Sequence, residues 1–105
     1  MNSPASRDLR IYDRAENIAD LYRLAAVVYG DCPAQAHRGK SADFQTRSYR
    51  ELHDTACALG TAFIGLGLQA RQHVALVSDN RPEWMLCDAA VLLCGAADVP
   101  RAADT

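Results

Sequence analysis

No stretch of this sequence stays apolar long enough to cross a bilayer. The longest, Trp84 to Ala97, covers 14 residues and is interrupted by Asp88; a spanning helix needs ~20. The opening MNSPASRDLRIYDRAE has no apolar core of a secretory signal, and Asp8, Asp13 and Glu16 do not suit an acid-poor organellar transit peptide. Basic charge is scarce as well. Eleven Lys and Arg face thirteen Asp and Glu, for a net charge of −2. Without a basic stripe there is no electrostatic footprint for a nucleic acid. Cysteine occurs four times, as Cys32, Cys57, Cys87 and Cys94, but never as C-x-x-C. With no export signal, a disulfide framework is not expected. His37, His53 and His73 share no ligand-like spacing with one another or with the cysteines, so no metal site is expected either.

What is present is a chain of 105 residues, half of them apolar, enough for one domain with a modest core. Sixteen of the twenty-four charged side chains fall in residues 1–55 and eight in residues 56–105. The second half is therefore the more buried half, or is covered by something else.

Residues 1–16 read as a polar, mobile leader. The segment NIADLYRLAAVVYG then predicts a helix capped by Asn17, with Asp20 placed for the N-terminal dipole and Gly30 as the stop. Ile18, Leu21, Tyr22, Ala25 and Val28 share its apolar face. Two short strands, 34–38 and 44–48, flank a turn built on Gly39, Ser41 and Asp43. Ser48 and Glu51 have the spacing of a capping box for a second helix. Leu52, Ala56, Leu59, Phe63 and Leu66 line one side of that helix, and Gly67 ends it.

HVALVS predicts a buried strand. The third helix, from about Arg81 to Cys94, is apolar all round apart from Asp88, a pattern that calls for cover on most sides. Cys87 and Cys94 stand two turns apart on it, where Cys behaves as a small hydrophobe. Gly95 ends this helix, and AADVP starts a further strand, stopped by Pro100. Strand, helix and strand make one βαβ unit with parallel strands.

Motifs that carry chemistry fail on context. Gly65 to Ala70, GLGLQA, fits the dinucleotide pattern G-x-G-x-x-A. That chemistry needs a strand before the glycines and a helix after them, and here the order is reversed. GTAFIGLG has glycine spacing like a P-loop but no Lys-Ser or Lys-Thr after it. Ser78 stands at a strand-to-helix turn without the flanking glycines of a nucleophile elbow. Asp79 and Glu83 are acidic beside a helix N-terminus, where the dipole already favours them. Arg81 can be satisfied by a neighbouring carboxylate. In SDNRPEW, Asn80 is the expected cap, Glu83 closes a capping-box-like pair, Pro82 takes the first turn and Trp84 opens the buried face.

Two stretches, SYRELHDTACALGTAFIGLGL and HVALVSDNRPEWMLCDAAVLLCGAADVP, resemble the N-terminal part of AMP-forming acyl-CoA synthetases, most of all the long-chain fatty-acid–CoA ligases of the adenylate-forming superfamily. The resemblance rests on Ser48, Tyr49, Glu51 and Leu52 at a helix start, and on Leu66, Gly67 and Leu68 at its end. It continues through Val74 and Ala75, Asn80 to Trp84, Gly95, Ala96, Val99 and Pro100. It covers about residues 17–105. One departure is Gln69 to His73, where the family has a Pro/Gly-Gly-Asp turn.

The resemblance implies a reaction in two steps. ATP and a carboxylate give an acyl-adenylate and pyrophosphate, and CoA then displaces AMP. It also implies a Ser/Thr/Gly-rich phosphate loop, an aromatic-Gly-x-Thr-Glu motif, a ribose-binding Asp and a catalytic Lys. None of these stands in this sequence, so no catalytic, cofactor-binding or metal residue is assigned.

The expectation is an α/β fold, a partial N-terminal subdomain with a β-hairpin, amphipathic helices and one βαβ unit of a mostly parallel sheet. Residues 17–105 form the incomplete subdomain of an AMP-binding enzyme, inactive alone. ATP, Mg and CoA are implied for full-length relatives and not for this chain. A cytoplasmic location is expected, with full-length relatives peripheral to the inner membrane. Self-association or a complementing downstream fragment supplies the missing cover, and fatty acid is a substrate of full-length relatives only. The alternatives are a short non-enzymatic α/β module that pairs with a partner through an open sheet edge, and an unrelated small α/β binding protein.

Overall fold

The computed structural model describes residues 10–40 and 43–102. The fold is α/β, with an antiparallel hairpin and a parallel strand pair. The chain divides into two compact units, and the division between Asp54 and Thr55 falls within the second helix.

The first unit opens with a 3-10 turn over Ile11–Asp13 that buries Ile11. Of the expected polar leader, residues 1–9 lie outside the described residues, and the reading of the sequence gave Ile11 no packing role. Helix α1 (Ile18–Val28) follows. Its cap is the expected one: Asn17 Oδ1 accepts from the Asp20 N–H at 2.8 Å. Asp20 reaches back to accept from the Glu16 N–H at 3.1 Å, and Arg23 Nε donates to it at 2.8 Å. The Glu16 N–H first, and then Arg23, hold the Asp20 carboxyl below its usual value. Ala25 is buried and Leu21, Tyr22 and Val28 are half-buried, but Ile18 is 61% exposed. The apolar face extends one residue less far than its periodicity, because Ile18 is the first helical residue and lies beyond the packed part.

Strands β1 (Pro33–Arg38) and β2 (Phe44–Ser48) pair antiparallel, from Pro33 opposite Ser48 to Arg38 opposite Phe44. The Arg38 guanidinium lies 5.0 Å from the Phe44 ring centroid, a cation–π contact across the hairpin. Of the three expected turn residues, Ser41 lies outside the described residues.

Helix α2 (Tyr49–Gly65) starts where β2 ends. A helix start leaves its first N–H groups without intrahelical partners, and here three are accounted for. The Tyr49 N–H donates to the Cys32 carbonyl at 3.1 Å and the Arg50 N–H to the Gly30 carbonyl at 3.0 Å. The Glu51 N–H donates to Ser48 Oγ at 3.1 Å, and the Ser48 N–H donates to Glu51 Oε1 at 3.0 Å. The capping box read from the sequence is therefore reciprocal. The turn after α1 also becomes part of the start of α2. Tyr29 and Tyr49 pack there with ring centroids 5.5 Å apart. Arg50 pairs with Asp31 in the open, a contact of small value. The Ser48 N–H, then its hydroxyl, hold the Glu51 carboxyl below its usual value.

In the second unit, α2 finishes in a Schellman turn. The Leu68 N–H donates to the Phe63 carbonyl at 3.0 Å and the Gly67 N–H to the Ile64 carbonyl at 2.9 Å. Gly67 has φ +109°, which only glycine adopts cheaply. Leu66, expected on the packed face, is 86% exposed because it sits in this turn, after the last helical residue. Strands β3 (His73–Val77) and β4 (Ala97–Arg101) run parallel, joined by α3 (Pro82–Leu93). The expected βαβ unit is thus present.

Helix α3 lies on both strands and buries Leu86, Ala89, Ala90 and Val91. It ends in a second Schellman turn: the Ala96 N–H donates to the Val91 carbonyl at 3.2 Å and the Gly95 N–H to the Leu92 carbonyl at 3.0 Å, with Gly95 at φ +76°. Where α2 passes α3, a Cβ on Gly60 would meet Cys94 Sγ at 3.2 Å and the Ala90 carbonyl at 3.3 Å. The absent side chain is what permits this approach.

Two expectations for this unit are corrected. β3 is not buried: His73, Ala75 and Val77 are exposed and Val74 and Leu76 only half-buried. A buried parallel strand needs cover on both faces and a neighbour on each side, and among the described residues this sheet has two strands. Pro100 does not stop β4 but lies within it, opposite Leu76. The ladder explains why. Ala97 donates to the Gln72 carbonyl at 2.9 Å, and the Arg101 carbonyl accepts from the Ser78 N–H at 3.3 Å. Parallel alternation then turns Ala97, Val99 and Arg101 towards β3, and Asp98 and Pro100 away from it. The missing Pro100 N–H is one the β3–β4 ladder does not use.

Two predictions test these local accounts. Ser48→Ala lowers unfolding free energy by about 1 kcal/mol, the usual worth of such a cap, read from urea denaturation; an unchanged midpoint contradicts the reciprocal box. Between α2 and β3, Arg71 sits at φ +71° while its N–H donates to the Gly95 carbonyl at 2.8 Å. Left-handed backbone costs an L-residue ~1–2 kcal/mol, and glycine's extra chain entropy gives back only ~0.5–1. Arg71→Gly therefore raises stability by up to ~1.5 kcal/mol, and a lower melting midpoint refutes the assignment.

Candidate functional site

The polar turn Ser78 to Trp84, between β3 and α3, is where the sequence concentrates chemically able side chains. In the structure these do not converge on a reacting group. Ser78 Oγ donates to the Asp79 carbonyl at 2.8 Å, so its hydroxyl is engaged locally. The cap position of α3 is Arg81, at φ −150° and ψ 164°, and no side chain caps the helix. This corrects the expectation for Asn80, which lies one residue too early. The reason is Pro82 at the first helical position. Its ring forces the preceding residue into extended backbone, and that residue becomes the boundary. Glu83 remains in the first turn, favourable to the dipole.

The glycine motifs keep the geometry expected for them. Gly60 to Gly65 lie within α2 and Gly67 in the turn that ends it. The helix presents its carbonyl end to GLGLQA, and a pyrophosphate needs the opposite pole. A shallow apolar recess lies beside this turn, lined by Phe63, Leu66, Gly67, Leu68, Gln72 and Val74. It brings together the residues that flank a Schellman turn and carries no charged side chain.

The four cysteines are free thiols: Cys32 buried, Cys57 exposed, Cys87 and Cys94 half-buried. Burial, and then Glu83, pushes the Cys87 thiol up, and burial does the same to Cys94. Raised thiols are poor nucleophiles. The two carboxyls held low, Asp20 and Glu51, are both engaged at helix starts. His37 lies on β1, His53 on α2 and His73 at the start of β3. Among the described residues no group of three or more His, Cys, Asp or Glu is placed to hold a metal ion, and no buried side chain is polar or charged. No helix there is long and apolar enough to cross a membrane.

The model of the AMP-binding enzyme family matches residues 23–105. The chain therefore belongs to the AMP-binding enzymes, and it matches the N-terminal part of their AMP-forming acyl-CoA synthetases. It is 25% identical over 91 residues to long-chain-fatty-acid–CoA ligase 1 of Cavia porcellus, covering 85% of this chain and 13% of that protein. It is 37% identical over 54 residues to fatty acyl-CoA synthetase A of Dictyostelium discoideum, covering 51% of this chain and 8% of that protein. Among solved structures, the fatty acid AMP ligase from Legionella pneumophila superposes with a TM-score of 0.78 at 20% identity, over 90% of this chain and 17% of that one. That likeness is one of fold. The chain thus spans a small part of the relatives it matches.

The resemblance read from Ser48, Tyr49, Glu51 and Leu52, from Leu66 to Leu68, and from Val74, Ala75, Asn80 to Trp84, Gly95, Ala96, Val99 and Pro100 is the one these comparisons support. Sequence reasoning missed the Arg81 cap, although Pro82 was its signal. Asn80→Ala is expected to change stability by less than ~0.5 kcal/mol, the range of surface substitutions away from special features, measured by urea denaturation. A loss of ~1 kcal/mol would reinstate Asn80 as the cap.

Proposed function

We propose that these residues form the N-terminal scaffold of an ATP-dependent long-chain fatty-acid–CoA ligase. The class first joins a fatty acid to AMP with release of pyrophosphate and then passes the acyl group to CoA. The observation that carries the reading is the family match over residues 23–105, joined to the likeness to a long-chain ligase over 91 residues. ATP, Mg, CoA and the fatty acid belong to the whole enzyme, which works in the cytoplasm. This chain alone performs neither step, because the phosphate loop and the catalytic Lys implied by the resemblance are not in its 105 residues. Its work is to supply a folded wall, with the βαβ unit as one flank of a larger sheet.

A second reading has an observation of its own. Among the described residues the parallel sheet has two strands, which suits a short non-enzymatic module that binds a partner through a sheet edge. ATP–pyrophosphate exchange with a long-chain fatty acid tests the scaffold reading. The chain alone is expected to show no exchange above background, and measurable exchange overturns it. The nucleotide sequence after codon 105 separates the readings: a phosphate-loop motif in any frame favours the ligase, and its absence favours the module.

A further inference from the structure

We draw no further inference here: the strongest candidate, the shallow apolar recess beside the turn that ends α2, lined by Phe63, Leu66, Leu68 and Val74, carries nothing because nothing in the structure shows what covers it.

Discussion

The second unit depends on a topological constraint: two parallel neighbouring strands cannot be joined by a tight turn. β3 and β4 need a crossover, and α3 is that crossover. The helix that makes the ladder possible is also the one that fills the space beside it, through Leu86, Ala89, Ala90 and Val91. Pro82 sets where it begins and Gly95 where it ends. Between those two residues the register of the whole strand pair is decided. A one-residue slip of β4 along β3 would turn the side chains of β4 to the opposite face.

The first unit solves a different problem with the same economy. Its helix α2 begins against the turn that follows α1, so the carbonyls of Gly30 and Cys32 satisfy amides that would otherwise need water or side chains. The hairpin between them closes the loop from Cys32 back to Ser48. Local hydrogen bonding positions these elements, while little is deeply buried: Ile11, Ala25, Cys32 and Leu52 are the unit's buried apolar side chains among the described residues.

Much of this was legible in the sequence, for physical reasons that differ by element. The caps at Asn17 and Ser48 were readable because a short polar side chain before an apolar period has few other uses. The βαβ order was readable because the period of apolar residues changes from strand-like to helical and back. The failures concern neighbours. Whether Ile18, Leu66 or β3 is covered depends on what packs there, and periodicity says only which side faces inward. At Arg81 the backbone restriction that Pro82 imposes outweighed a side-chain preference, at Pro100 the missing N–H is on the side the ladder does not use, and at Ile11 a lone apolar residue in a polar stretch left no period to read. For the candidate site, the sequence carried family membership in Asn80 to Trp84. The chemistry of that family resides in motifs these residues do not contain.

Gly60 and Cys94 meet where α2 and α3 pass each other. Cys94 Sγ donates to the Gly60 carbonyl at 3.4 Å, which places its side chain between the two helices. The sulfur is therefore the spacer between α2 and α3. A methyl group added at position 60 would press on the Ala90 carbonyl as well as on Cys94 Sγ, so a smaller residue at position 94 would relieve only one of the two contacts. The contact ties together two positions 34 residues apart in the chain.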